Sequence, residues 1–279
     1  MRDVLAFLAA PFAASALLAM ILGYLGIHVI LRRVIFVDLA LAQIAALGSI
    51  VAFLRGHEPG SVGSLLYSFV AALLGAGIFS WTRTRRERVP QEAIIGITFV
   101  VASALSILIA DRAPEGAEHI KELLAGAVLW VTWPTVIRDL IVFTSVGALH
   151  LALRRRFCLI TENPEEAFRR GIRVRGWDFV FYASFGIVIT LAVGVGGVLL
   201  VFAYLVAPAI LAVGSAASWS ARLSIAVGSG VLASALGLAA SYTWDFPSGP
   251  AVVCTLGAFL VVWTAVRSWF SFSTRGDRV

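Results

Sequence analysis

Apolar runs of membrane-crossing length dominate this sequence and restrict the folds that it can adopt. A helix rises 1.5 Å per residue, so about 20 apolar residues cross the roughly 30 Å hydrocarbon layer of a bilayer. The runs are apolar on every face, unlike the alternating strands of a membrane β-barrel. They predict an all-α, polytopic transmembrane helical bundle of about nine helices, eight to nine because the divisions at residues 32–33 and 194–197 are weak. The runs occupy residues 4–31, 34–54, 61–81, 93–110, 134–153, 179–193, 198–216, 223–242 and 249–270.

The composition excludes several classes of protein. Of the 279 residues, 60% are hydrophobic and 14% are charged, whereas a soluble domain has about 25% charged residues. A soluble enzyme, a fibrous protein and a disordered chain are therefore excluded. We expect a single transmembrane domain over residues 1–279. The first run is too long for a signal-peptide core, so we expect it to be retained as the first helix.

The arginines predict how the bundle is oriented in the membrane. They cluster in residues 82–91, in residues 154–176 and in the tail, at Arg275 and Arg278. Basic loops remain on the cytoplasmic side, so we expect these segments inside and the acidic segment 111–133 outside. A bundle of nine helices whose first residues lie outside places each of these segments on its expected side of the membrane. The net charge of +6 therefore indicates a multi-pass protein of the cell (inner) membrane, in contact with lipid, and no nucleic acid partner.

The loop over residues 154–178 carries the pattern of a short cytoplasmic helix. Asn163 suits the N-cap, proline suits the first helical position, and acids suit the first turn. A glycine is a typical stop. Two interpretations remain open: a loop helix that rests on lipid headgroups, or a docking site for a cytoplasmic partner. The capping residues at both ends of so short a helix favour the docking site. The helix and its stop comprise Pro164, Glu165, Glu166, Ala167, Phe168, Arg169, Arg170 and Gly171.

An acid inside the second apolar run is a candidate binding residue. A charge at membrane depth costs at least ~2.5 kcal/mol, so Asp38 needs a partner or a wet cavity. One interpretation is a salt bridge to Arg32 or Arg33. In another, Asp38, Gln43 and His28 together bind a divalent cation, with imidazole favouring zinc. A lone intramembrane histidine is, however, more often bonded to the backbone.

Two further residues are candidates for a transport pathway. Pro208 should break or kink the helix over residues 198–216, and broken helices at membrane depth are tolerated where they border a cavity. Asp245 lies in a turn-rich segment, WDFPSGP, between the last two helices. It either shapes the turn and caps the helix that begins near Ser248, or provides an acid at the outer mouth.

Motifs of several enzyme classes are missing from the sequence. There is no G-x4-G-K-[ST] loop, because Lys121 is the only lysine and its context does not fit. HExxH and Gly-x-Ser-x-Gly motifs are also missing, and Cys158 and Cys254 cannot build a thiolate cluster. We therefore expect a chain that is not an enzyme, binds no cofactor and cannot hydrolyse ATP itself. An ion-driven secondary carrier remains an alternative, although the internal repeat typical of that class is not visible.

Six segments, in order, resemble the membrane-spanning permease subunit of metal-type ABC importers, the ABC-3 group that moves zinc, manganese or iron(II). The resemblance covers roughly residues 23–262. The segments are IHVILRRVIFVDLALAQIAALG (27–48), VPQEAIIGITF (89–99), ELLAGAVLWVT (122–132), PEEAFRRGIRV (164–174), GVLLVFAYLVAPAILAV (197–213) and WDFPSGPAVV (244–253).

The resemblance implies a type II ABC-importer-like fold and a set of partners. Residues 164–171 would be the coupling helix on which a separate ATPase docks. An extracytoplasmic metal-binding protein would deliver a divalent transition metal as cargo, and a second permease copy or paralogue would complete the pathway. The family carries Asp-x-x-x-His in its second helix, whereas here the residue four positions after Asp38 is Ala42, with Gln43 next to it. If the register is instead fixed on Gly48, Gln43 takes the histidine position and Leu39 the acid position, so the histidine is missing in both registers. Asp38 is the residue that the resemblance carries over.

Overall fold

The computed structural model describes residues 2–58, 60–83, 89–111 and 128–276. Within them, ten α-helices and one 3₁₀ turn (Val128–Trp130) follow one another without a strand. The loop 84–88, residues 112–127 of the acidic segment and Arg278 lie outside the described residues. The helices are α1 (Arg2–Arg32), α2 (Val37–Leu54), α3 (Val62–Thr82), α4 (Gln91–Ala110), α5 (Trp133–Ala152), α6 (Arg154–Glu162), α7 (Pro164–Arg169), α8 (Val174–Ser215), α9 (Trp219–Trp244) and α10 (Ser248–Gly276).

The apolar runs form the membrane-crossing helices that the sequence predicts. Eight helices in the described ranges are long and apolar enough to span a membrane. The longest, α8, contains one residue with non-helical dihedral angles, Gly197 (φ 72°, ψ 165°). Counting its two arms separately gives nine apolar segments, with the division inside the stretch 194–197 where the sequence places it.

The two arms of α8 run in opposite directions along α1. Near its start, Asp178 pairs with Arg32 at the end of α1. Next to the interruption, Gly196 faces Leu18, halfway along α1, and farther on Leu205 and Ala209 pack against Gly26. The second arm therefore returns towards the end of the bundle from which the first arm starts.

Pro208 does not break its helix. The dihedral angles of α8 are helical throughout the second arm, and the interruption lies at Gly197 instead. The proline ring lies against α9, where a Cβ added to Gly230 would be 3.8 Å from the ring Cγ. A proline removes one backbone hydrogen bond without forcing a break where neighbouring helices hold the segment.

Small residues bring α1 and α9 into close antiparallel contact. A Cβ added to Gly23 would lie 3.4 Å from the Ala226 Cβ, and one added to Gly230 would lie 2.8 Å from the Ala19 Cβ. In a bilayer the hydrophobic effect does not drive helices together, so close backbone approach and van der Waals packing hold such pairs.

The exposed apolar side chains are those that a lipid environment accommodates; on α4, α5 and α10 they include Val100, Leu108, Ile141, Val261 and Val262.

One end of the bundle is organised around a buried ion triad. The carboxylate of Asp178, at the start of α8, is 2.7 Å from Arg32 Nη1 at the end of α1 and 3.2 Å from Arg83 Nε, just after α3. The segments next to these residues are the arginine-rich ones, so the triad brings them together. The opposite end carries aromatic contacts of Phe7 with Trp130 and Tyr242.

Candidate functional site

The predicted short helix forms as α7, one residue shorter at its C-terminal end than expected. Asn163 Oδ1 accepts a hydrogen bond of 3.0 Å from the backbone N–H of Glu166, and Pro164 occupies the first turn. The helix stops because Gly171 adopts φ 70°, a left-handed conformation that glycine takes without strain. A second helix, α6, immediately precedes it; the sequence pattern did not identify this helix.

Glu166 holds the charged face of α7 together. Its carboxylate is 2.7 Å from Arg169 and 2.8 Å from Arg170, whose side chains are 66% and 62% exposed. The hydrogen bond from Arg170 and the positive charge of Arg169 lower the pKa of Glu166 below the ordinary range of a glutamate. The carboxylate is therefore ionised at neutral pH and pairs with both guanidinium groups on the outer surface.

The apolar residues of α7 point into the protein rather than towards a partner. Ala167 is fully buried against Ile160 of α6 and Val174 of α8, and Phe168 packs at the edge of the same cluster. Pro164 is half-buried. The surface that α7 and the two residues after it offer to the outside is therefore mostly charged. It consists of Glu165, Arg169, Arg170 and Gly171.

His28 lies in a buried polar chain and does not meet Asp38. Its Nδ1 is 2.8 Å from Thr161 Oγ1 and its Nε2 is 3.1 Å from the Tyr24 hydroxyl, so both ring nitrogens are occupied. The Tyr24 hydroxyl is also 3.3 Å from His150 Nδ1. We call this the histidine chain; in order it comprises Thr161, His28, Tyr24, His150 and Ser184, the last with its Oγ 2.8 Å from His150 Nε2.

Asp38 is buried, and no described residue forms a salt bridge with it. It lies in the first turn of α2 with 1% of its surface exposed, and its Oδ1 has no hydrogen-bond partner within the described structure. The expected pairing with Arg32 does not form, because the Arg32 guanidinium is taken by Asp178. An unpartnered carboxylate oxygen at this depth is costly to bury. Asp38 is thus a residue whose burial the packing alone does not explain.

Gln43 and Asp38 face different directions. Five residues along a helix correspond to a rotation of about 140°, and Gln43 is half-buried whereas Asp38 is buried. Among the described residues, no group of three or more histidines, cysteines and acids is close enough to hold a metal ion. The three residues that the sequence analysis combined are therefore not brought together in this conformation.

Asp245 lies at the turn between α9 and α10. It is exposed and has a left-handed backbone (φ 54°, ψ 38°) just after α9, and α10 begins at Ser248 as expected. The turn is closed by Ser241, whose hydroxyl donates to the carbonyl oxygen of Phe246 over 2.6 Å. The structure therefore gives Asp245 the place of a turn residue.

The residues that sequence reasoning missed are the distant partners of its candidates. Thr161 and His150 are separated from α1 by more than a hundred residues, and their types carry no motif. The one local signal was the spacing of Tyr24 and His28, which are four residues apart and share a helix face.

Comparison with known proteins extends over almost the whole chain. The model of the ABC 3 transport family matches residues 5–267. The manganese transport system membrane protein MntC of Listeria innocua is 25% identical over 277 residues, covering 97% of this chain and 95% of that protein. The chelated iron transport system membrane protein YfeD of Yersinia pestis is 24% identical over 257 residues, covering 90% and 84%.

A solved structure has the same fold. The structure of PsaBC from Streptococcus pneumoniae in complex with Fab superposes with a TM-score of 0.78 at 21% identity, covering 94% of this chain and 93% of that one. The two proteins therefore share one fold. From the family match over residues 5–267, the chain belongs to the ABC 3 transport family, which comprises membrane-spanning permease subunits.

Proposed function

We propose that the chain is the permease subunit of an ABC importer for a divalent transition metal and that α7 is the element on which its ATPase docks. The observation that carries the proposal is α7 itself: a capped, ion-paired helix at the arginine-rich end of a membrane bundle. The ion-gradient carrier considered above is set aside, because the family is one of ABC transporters.

An ABC permease subunit needs partner subunits that supply energy and cargo. Transport against a gradient needs a source of free energy, and a permease that does not hydrolyse ATP must receive it from a bound ATPase subunit whose nucleotide favours one conformation over another. Delivery would come from an extracytoplasmic metal-binding protein, and a second copy or a paralogue would complete the pathway. The polar surface of α7 supports docking of a cytoplasmic subunit.

The cargo is inferred from the relatives. Manganese and iron transport systems supply the names of several of them, and zinc belongs to the same group of divalent transition metals. In this chain, Asp38 is the residue whose chemistry fits a passing cation best, because its buried Oδ1 has no other partner among the described residues. Carboxylate oxygens are ligands that suit hard divalent cations such as manganese.

Docking is tested by a charge reversal on the exposed face of α7. Glu165→Arg should lower both co-purification of the ATPase and metal uptake by about tenfold or more, because it reverses the charge of an exposed side chain that the docked subunit would contact and so removes charge complementarity. Glu165 is preferable to Ala167, since an acid at the buried position would unfold the helix. The matched control is Glu58→Arg, in the loop before α3 at an exposed site. Full binding and uptake in the Glu165 variant would refute docking on α7.

The cargo is tested by uptake of a metal panel. Cells that carry the whole complex are supplied with manganese, iron(II) or zinc, and Asp38→Asn is compared with Asp139→Asn, a buried acid that already pairs with Arg138. We expect the wild type to accumulate at least one metal and Asp38→Asn to reduce its uptake. Unchanged uptake in Asp38→Asn would remove Asp38 from the pathway, and no uptake of any metal by the wild type would refute a metal cargo.

A further inference from the structure

The histidine chain connects the helix pair next to the proposed docking site with the interior of the bundle. Resting on the proposed function, we propose that Thr161 is the positioning residue through which a displacement of α7 reaches α1, and that the displacement passes through His28 and Tyr24 to His150 on α5. The histidine chain thereby makes the positions of α1, α5 and α8 depend on the position of α7.

The first step is that α6, α7 and the start of α8 move as one body. Their packing is an apolar cluster whose centre is Ile160, Ala167 and Val174, each no more than 1% exposed. Thr161 precedes the N-cap residue Asn163 by only two positions. A force on the exposed face of α7 therefore acts on Thr161 almost directly.

Thr161 is bonded to two side chains of α1. Its Oγ1 is 2.8 Å from His28 Nδ1 and accepts a hydrogen bond of 2.9 Å from Arg32 Nε. The Arg32 guanidinium also lies 4.0 Å from the centre of the Phe181 ring and pairs with Asp178, both in α8. A single hydroxyl thus joins α6 to the end of α1, where Arg32 attaches α1 to α8.

The hydrogen positions in the chain follow from the donor inventory of its members. Arg32 Nε can only donate to Thr161, so the Thr161 hydroxyl hydrogen needs an acceptor of its own, and His28 Nδ1 is the one within reach among the described residues. His28 is then protonated at Nε2 and donates to the Tyr24 oxygen. The Tyr24 hydroxyl donates to His150 Nδ1 in turn.

The hydrogen bonds at the His150 end of the histidine chain fit the same donor-to-acceptor direction. His150 Nε2–H donates to Ser184 Oγ, and the Ser184 hydroxyl donates over 2.9 Å to the backbone carbonyl of Phe181. With the opposite direction, the Thr161 hydroxyl hydrogen would have no acceptor within the described residues. Each hydrogen thus has one acceptor when both histidines are neutral, and the chain runs in one direction from Arg32 to Phe181.

Such a chain resists sliding because four of its five members are buried; the fifth, Tyr24, is half-buried. Thr161, His28, His150 and Ser184 are each no more than 4% exposed. Separating one pair leaves a donor or an acceptor unpaired in a low-dielectric interior, which costs more than the hydrogen bond itself contributes. The helices that carry these residues are therefore expected to shift together rather than past one another.

A parallel contact reinforces the same connection at the next residue. Glu162 accepts a hydrogen bond of 2.7 Å from Trp219 Nε1 at the start of α9. The Trp219 ring in turn lies against the His28 ring, with the ring centres 4.7 Å apart. The end of α6 thus contacts α1 and α9 through adjacent residues.

The test measures metal transported per ATP hydrolysed by the complete complex in proteoliposomes. Thr161→Val keeps the size of the side chain but removes the hydroxyl, and we expect transport per ATP to fall by about five- to tenfold while the ATPase remains bound and active. Thr161→Ser retains the hydroxyl and should restore the ratio. The matched control is Thr190→Val in α8, because among the described residues the Thr190 hydroxyl donates only within its own helix, to the Gly186 carbonyl oxygen.

Two results would overturn the proposal: a wild-type ratio in Thr161→Val, or a ratio that Thr161→Ser does not restore. If Thr161→Val does not assemble, Tyr24→Phe interrupts the chain beyond His28 and leaves α6 untouched; an unchanged ratio there overturns the proposal equally. Failure of the proposed function is distinguishable, because the wild-type complex itself would then neither bind an ATPase nor transport metal.

Discussion

The backbone of Gly197 determines the path of the longest helix. Its dihedral angles (φ 72°, ψ 165°) lie in a region that is open almost only to glycine, because a Cβ would collide with the neighbouring peptide groups. The flanking residues have helical angles, so the whole reversal of α8 depends on this one residue. Among the glycines of the stretch 194–197, it is the one whose conformation requires glycine.

Replacement of Gly197 should therefore destabilise the fold. Gly197→Ala is expected to reduce the free energy of unfolding by about 1–3 kcal/mol through backbone strain, which lowers the melting temperature of the purified protein in detergent. Gly194→Ala is the control, since a Cβ at position 194 meets no atom within 4 Å and its φ is not positive. Equal melting temperatures for both variants would contradict this account of the reversal.

At the scale of helices, the contact between α1 and α9 depends on which glycines face the partner. Gly228 and Gly230 are two residues apart on α9. A Cβ at position 230 would lie 2.8 Å from the Ala19 Cβ, whereas a Cβ at position 228 meets nothing within 4 Å. The two positions look alike in the sequence and differ only in what lies opposite.

Alanine at these two positions should have opposite effects. Gly230→Ala overpacks the contact and should destabilise the protein by about 1–3 kcal/mol. Gly228→Ala should be neutral or stabilising by up to about 1 kcal/mol, because alanine favours the helix. Thermal unfolding of both variants in the same detergent measures the difference, and a destabilised Gly228→Ala with an unaffected Gly230→Ala would refute the packing described here.

The stability of α7 should depend on pH through Glu166. Because Arg170 and Arg169 lower its pKa below the ordinary value of 4.5, the folded helix favours the ionised carboxylate. The sign follows from linkage: this stabilisation is complete above the ordinary glutamate pKa and is lost as the pH falls through the lowered pKa of the folded protein. Opening of α7 should therefore increase in acid below pH 4.5.

Hydrogen–deuterium exchange of residues 166–170 measures this opening, after correction for the intrinsic effect of pH on exchange. In Glu166→Gln the helix should open more readily at neutral pH and lose the additional sensitivity to acid. Equal protection of the two proteins at neutral pH would show that the ion pairs do not hold α7.

At the scale of the whole molecule, the bundle has two chemically different ends. Arg32, Arg83 and Asp178 gather the arginine-rich segments at one end, next to α7. Phe7, Trp130 and Tyr242 meet at the other, and aromatic side chains are typical of membrane–water interfaces. This asymmetry gives the molecule one orientation in the membrane.

The orientation predicts which introduced cysteines a membrane-impermeant thiol reagent can reach. In a chain with Cys158→Ala and Cys254→Ala, Glu58→Cys should react in intact spheroplasts, because the loop before α3 faces outward. Glu165→Cys should react only after the membrane is permeabilised. The reverse pattern would place α7 outside the cell and remove the docking proposal.

The features that the sequence determined by itself are local ones. The apolar runs define the spans because a bilayer leaves a backbone only its own hydrogen bonds to satisfy. The short helix α7 follows from Asn163, Pro164 and Gly171, which cap it through contacts within a few residues. Such signals need no knowledge of distant segments, which explains why α7 and most helix bounds could be predicted.

Only the tertiary structure decided the partners of buried polar groups. His28 has the residue type of a metal ligand, yet Thr161 and Tyr24 occupy both of its nitrogens. Arg32 is near Asp38 in sequence but pairs with Asp178. A polar group in a dry interior binds whichever donor or acceptor the packing brings within 3 Å or so, and that neighbour comes from a different helix, so no local pattern encodes it.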